Sequence, residues 1–285
     1  MRYVTSIAKT TLLMAVLTGL FLGVGYLMGG RSGAVLALGL AAVMNFGMYW
    51  FSGSLVLKMQ GAQPLDTKRF GFIKDMVEEL VKADGLPMPA LYFVDTPIPN
   101  AFATGRSPKH AVVAVTRGIT DLLDEAELKA VLGHELGHVK NRDMLVSTIA
   151  ATMGGAISML AEMAFWMGGL FGSNDEEGSG NPIGSLAMFI IAPLAAMLIQ
   201  MAVSRNREFM ADDHGAKLVG SSQELASALQ KLESFKPRMA NLQPSPTQEA
   251  TAHLMFMNMF HAEGLAGLFS THPSTTARVE RLLKR

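Results

Sequence analysis

His134, Glu135 and His138 are the residues of this chain best placed to do chemistry, in the run His134-Glu135-Leu136-Gly137-His138. On a helix, positions i and i+4 project from one face, so both imidazoles reach a single divalent ion. Glu135 then sits beside the coordination position left open, where a water can be activated. The 285 residues include no cysteine. That excludes disulfides, thiolate nucleophiles and thiolate-bound metals, so a metal must be held by His, Asp or Glu. A hydrolytic zinc needs a third protein ligand, with the fourth place kept for water. The pattern that supplies a third histidine from the same stretch wants Gly at 141 and His at 144, where this chain has Asn141 and Met144. A carboxylate on a second helix is the alternative. Glu208, with Asp212 one turn later, supplies a candidate ligand and an acceptor for the outer nitrogen of a ligating imidazole. Glu162, Asp213 and His214 are rivals for the third place.

The elements that must position these residues are legible from caps and periodicity. Asp124 and Glu127 form a capping-box pattern ahead of an apolar stripe, Leu128, Val131, Leu132, Leu136 and Val139, which predicts the helix that carries the paired histidines. Residues 66–84 space Phe70, Ile73, Met76, Val77, Leu80 and Val81 as an amphipathic helix that stops at Gly85. The β-prone runs 91–94 and 111–115, with 100–104 between them, predict a small antiparallel sheet. Residues 204–219 and 222–232 read as two helices separated by Gly220. Residues 236–249, with their prolines, read as a loop, and 252–269 as core.

Hydrophobic residues make up 49% of the chain and charged residues 17%, with mean hydropathy +0.28. A charged fraction below the roughly 25% usual in soluble domains points to a membrane. Arg31 is the only charge between residues 10 and 57. At about 1.5 Å rise per residue, 10–30 and 32–57 are each long enough to cross a hydrocarbon core of about 30 Å. A second pair of spans is expected within 144–203, interrupted by Glu162 and an acidic, glycine-rich turn. Arg2, Lys9, Lys58, Lys68, Arg69, Lys140, Arg142, Arg205 and Arg207 then share one side, which the positive-inside rule makes cytoplasmic together with both termini. The expected organisation is a membrane hairpin at 1–57, a first cytoplasmic part at 58–143, a second hairpin at 144–203 and a second cytoplasmic part at 204–285. Lys plus Arg equals Asp plus Glu at 24 each, and basic residues are not interleaved with aromatics, so nucleic acid is not an expected partner.

Four ordered stretches carry a resemblance: NAFATG at 100–105, LGHELGHVKNRD at 132–143, SRNREFMADDHGA at 204–216 and STHPSTTARVERL at 270–282. Together they resemble the HtpX family of bacterial membrane zinc endopeptidases, relatives of the CAAX-prenyl endopeptidases. The resemblance implies a mainly α membrane protein: four transmembrane helices and a cytoplasmic α+β zincin-like (gluzincin) domain. It implies one Zn2+ held by His134, His138 and Glu208, with Glu135 as general base and Asp212 behind the ligands. It also implies Asn100 on an edge strand beside the cleft, where an extended peptide adds as another strand, His272 on the oxyanion side and Arg278 near the substrate. The implied activity is cleavage of misfolded or locally unfolded membrane proteins at the cytoplasmic face of the inner membrane, in quality control and alongside other membrane proteases. A processing protease for one dedicated membrane-bound substrate and a non-catalytic zinc-binding scaffold are the competing expectations.

Overall fold

The computed structural model of the chain describes residues 2–144, 205–239 and 273–284. His272, Glu162, the expected second membrane hairpin and the stretch 252–269 lie outside the described residues. Helix α1 runs from Arg2 to Met59. Within it Gly30 has a left-handed φ of +56, the conformation in which helices commonly end. It falls one residue before Arg31, where the sequence places a turn. Among the described residues no helix is long and apolar enough to cross a membrane. Residues 10–57 nonetheless carry a single charge, and Val35, Leu36, Val43, Phe46 and Phe51 on α1 are all more than 60% exposed.

Beyond α1 come strand β1 (Gln63–Pro64), helix α2 (Thr67–Asp84), strands β2 (Ala90–Val94), β3 (Ala101–Thr104) and β4 (Val112–Thr116), and helices α3 (Arg117–Leu122) and α4 (Glu125–Asn141). Helices α5 (Arg205–Val219), α6 (Ser222–Met239) and α7 (Thr275–Leu283) complete the described elements. Helix α6 continues through Pro237 to Met239, past the boundary expected at 232. Pro237 removes one helical hydrogen bond and crowds the carbonyl of Glu233, a cost set against the buried face of α6 formed by Leu225, Ala228, Leu229 and Leu232. Asp66 caps α2 by accepting from Lys68 N–H, and Gly85 closes it with φ 68.

The sheet is mixed, in order β1-β2-β4-β3, and not antiparallel throughout. β1 with β2 and β3 with β4 are antiparallel, but β2 and β4 run parallel in the register Ala90↔Val112 to Val94↔Thr116. The reason is topological: the chain reverses between β2 and β3 and again between β3 and β4, so β2 and β4 point the same way. β3 is left at the edge. The alternation of β3 and β4 separates two cores. Ala101, Ala103, Val113 and Val115 face a core built with α2, α3, α4, α6 and α7. Phe102 and Ala114 face the opposite side, where Val56 and Leu57 at the end of α1 cover them. The edge strand is thereby fixed against α4, the helix of the paired histidines.

Candidate metal centre

The start of α4 is set by the capping box that its sequence announces. Asp124 Oδ1 accepts from Glu127 N–H at 2.9 Å, and Glu127 Oε2 accepts from Asp124 N–H at 3.0 Å. The buried Glu127 carboxylate also accepts from Ser227 Oγ at 2.6 Å and Lys231 Nζ at 2.5 Å, tying this end of α4 to α6. One turn apart on α4, Gly133 and Gly137 face Gly215 and Ala211 on α5. A Cβ on Gly215 would lie 2.6 Å from His134 N, and one on Gly137 would lie 3.2 Å from Ala211 Cα. The two backbones therefore meet at a distance that only small residues permit. This close crossing carries the first turn of α5, with Glu208, onto the histidines.

His134 Nε2 and His138 Nε2 are 3.1 Å apart, with the rings nearly perpendicular at 85°. Glu208 Oε1 is 3.3 Å from His138 Nε2, and Oε2 is 3.8 Å from His134 Nε2. Ligands about 2.05 Å from a tetrahedral zinc lie roughly 3.3 Å from one another, so two nitrogens and a carboxylate at these spacings fit the ion. The three residues form one potential metal-binding group, with ligand atoms all within 4.8 Å of one another.

Behind each imidazole stands an aspartate. His134 Nδ1 donates to Asp212 Oδ1 at 2.9 Å. Arg278 grips the same carboxylate with two hydrogen bonds, Nε to Oδ2 at 2.9 Å and Nη2 to Oδ1 at 2.6 Å. His138 Nδ1 faces Asp143 Oδ2 at 3.4 Å. With Nδ1 engaged, each ring turns Nε2 toward the metal position, the orientation a ligating histidine needs. Burial holds His134 down at about 4 against the pull of Asp212, so its imidazole is neutral and its Nε2 lone pair available. Burial alone would raise Asp212, but Arg278 and then His134 bring it to about 2. Burial alone would lower His138, yet the carboxylates of Glu208 and Asp143 together push it well above the usual histidine value.

Glu135 is buried against the edge strand, where its carboxylate accepts a hydrogen bond from Ala103 N–H. Burial pushes its pKa up to about 8, Glu208 adds to the rise, and His138 and the Ala103 amide oppose it. A dication among the three ligands favours the ionised carboxylate and so acts against that rise. Asn100, 6% exposed, immediately precedes β3, and its backbone N–H donates to Thr116 Oγ1 at 2.8 Å.

The structure thus brings together His134, Glu135, His138, Glu208, Asp212 and Arg278. It does not bring in two rivals for the third ligand. Asp213 pairs with Arg281 at 2.8 Å, and His214 Nε2 pairs with Asp84 at 2.9 Å. Arg278, expected near substrate, is 1% exposed and lies behind the ligands against Asp212. Sequence reasoning missed Asp143 and Arg207, whose Nε is 3.6 Å from Asp143 Oδ1. The available signal was an Asp five residues after the second histidine.

Comparison with known proteins agrees with this geometry. The profile of peptidase family M48 matches residues 67–285. The chain is 52% identical over 275 residues to a protein described as Protease HtpX homolog from Persephonella marina, covering 96% of this chain and 95% of that one. It is 51% identical over 276 residues to a Protease HtpX homolog from Ralstonia nicotianae, covering 96% and 95%. The crystal structure of S. mikatae Ste24p shares the fold, with TM-score 0.53 at 18% identity. That alignment covers 99% of this chain and 66% of the other. The chain belongs to peptidase family M48, among its HtpX proteases, and is a metalloendopeptidase.

Proposed function

We propose that the chain is a zinc-dependent endopeptidase of the bacterial inner membrane that cleaves misfolded or locally unfolded membrane proteins at the cytoplasmic face, in membrane-protein quality control. The observation that carries this reading is the triangle of His134, His138 and Glu208 with Glu135 beside it, facing an edge strand. Zinc, which His134, His138 and Glu208 would hold, would supply a bound water with a pKa near 7 and a Lewis acid for the scissile carbonyl. A Glu135 Oε accepts the proton of the attacking water and delivers it to the leaving nitrogen. Asp212 and Arg278 hold His134 in register. His272 is proposed on the oxyanion side and Asn100 beside the bound peptide, as the family resemblance implies.

An extended substrate adds alongside β3, because an edge strand offers backbone groups that only an unfolded segment can match. Membrane residence is supported by the apolar surface that α1 turns outward, with Leu36 77% and Val43 70% exposed. Surface of that kind is stable in lipid and costly in water. The proposed organisation keeps hairpins at 1–57 and 144–203 in the bilayer, and 58–143 and 204–285 together on its cytoplasmic side. Reconstitution into sealed vesicles tests this. A membrane-protein substrate with an unfolded loop should be cut only when that loop and residues 58–143 lie on the same side. Cleavage of loops on the opposite side would overturn the topology.

A further inference from the structure

Residue 142 is an arginine in the left-handed region, φ 59 and ψ 31, and is the sole non-glycine residue with positive φ among the described residues. A side chain in that conformation costs energy that a glycine there would not, and such strain persists where the surroundings impose it. Here the turn ends α4, with Arg142 N–H donating to His138 O, and sends the chain back so that Asp143 Oδ2 meets His138 Nδ1 at 3.4 Å. Asp143 in turn faces Arg207, with Oδ1 3.6 Å from Nε. The Arg207 side chain is 8% exposed, and among the described residues its Nη1 has no hydrogen-bond partner. A buried guanidinium held mainly by charge is weak evidence for stability, so its place is better explained by the aspartate it faces.

We infer that Asp143 is a positioning residue for the metal-facing nitrogen of His138, and that Arg207 acts by holding Asp143. The arrangement repeats that of His134, Asp212 and Arg278 on the other arm, but looser: 3.4 and 3.6 Å against 2.9 and 2.6 Å. The pair also links the end of α4 to the start of α5, 64 positions apart in the sequence. The inference rests on the reading that His134, His138 and Glu208 hold a metal.

The test uses the full-length chain in detergent, with zinc affinity from chelator competition, the d–d absorption of the cobalt-substituted protein, and kcat and KM measured separately. Asp143→Ala is expected to weaken zinc binding about 10- to 100-fold, to shift the cobalt bands, and to lower kcat with KM unchanged. Arg207→Gln should move the same readouts in the same direction by less. The double variant should be no weaker than Asp143→Ala alone. If Asp143→Ala does not fold, Asp143→Asn, which keeps the side-chain size, carries the comparison. Parent-like zinc affinity and cobalt spectrum in the folded Asp143 variant would overturn the inference, and additive losses in the double variant would overturn the route through Arg207. A parent chain that binds no zinc would instead sink the metal reading itself.

Discussion

Gly215→Ala sets helix propensity against helix packing. By propensity alone, replacing a mid-helix glycine with alanine stabilises α5 by about 1 kcal/mol. The added Cβ, however, would sit 2.6 Å from His134 N, 2.9 Å from His134 Cα and 3.0 Å from Gly133 C, where ordinary contact begins at 3.4 Å. All three are backbone atoms of α4, so no rotamer change relieves the clash. Restoring contact at the worst atom takes 3.4 − 2.6 = 0.8 Å of separation between α4 and α5. Overpacking of this kind costs roughly 1–3 kcal/mol, which outweighs the propensity gain. Glu208 rides on α5 and the histidines on α4, so the ligand triangle opens by a similar distance, well beyond the ±0.2 Å or so that a metal site tolerates. Zinc affinity should fall at least tenfold. Gly137→Ala is the graded control, because its Cβ meets Ala211 Cα at 3.2 Å and needs only 3.4 − 3.2 = 0.2 Å. Melting each variant with excess zinc and with chelator separates the packing cost from the metal loss. A Gly215→Ala protein as stable as the parent, with parent zinc affinity, would refute the reasoning, as would a Gly137→Ala defect larger than that of Gly215→Ala.

His134→Ala and Glu208→Ala should each lose zinc before any other property, and stoichiometric zinc in either purified variant would exclude that residue as a ligand. Asp212→Asn should loosen zinc about 10- to 100-fold by freeing the His134 ring, read by chelator competition. Arg278→Ala should cost about 3–5 kcal/mol, because it leaves the Asp212 carboxylate buried without its cation; a denaturant melt within 1 kcal/mol of the parent would contradict the role of Arg278 behind the ligands. The carboxylates of Glu208 and Asp143 raise His138 above the usual histidine value, which favours a ring proton that zinc must displace. Apparent zinc affinity should therefore fall about tenfold for each unit of pH lost below 7, and calorimetry in buffers of different ionisation enthalpy should find at least one proton released per zinc. Uptake at pH 7 with no proton release would show that His138 was already neutral.

Most of the metal helix was legible because its signals are local. The capping box at Asp124 and Glu127, the apolar stripe of α4 and the pair of histidines one turn apart all lie within the sixteen residues 124–139. Glu208 and Asp212 stood out by the same one-turn rule on a second helix. The parallel pairing of β2 with β4 was not legible, since strand direction follows from how often the chain reverses and not from the residues within a strand. Gly133, Gly137, Ala211 and Gly215 are unremarkable singly, and their meaning appears only when α4 and α5 touch. Asp143 and Arg207 were missed for a related reason: 64 positions separate them, and the backbone turn at Arg142 that aims Asp143 at His138 has no signature in side-chain type. Arg278 was singled out by resemblance alone, and its contact with Asp212 gives it a place behind the ligands.

Hydrolysis at a metal site with Glu135 as the base is tested most directly by one pair of proteins. The zinc-loaded full-length chain and its Glu135→Gln variant, purified identically and shown to hold equal zinc, are given an unfolded test protein. The parent should cleave it, with the variant slower by a factor of about 10²–10⁴, the usual contribution of a general base. Equal cleavage by both, at equal zinc, would contradict the assignment of Glu135 and with it the proposed chemistry of the site.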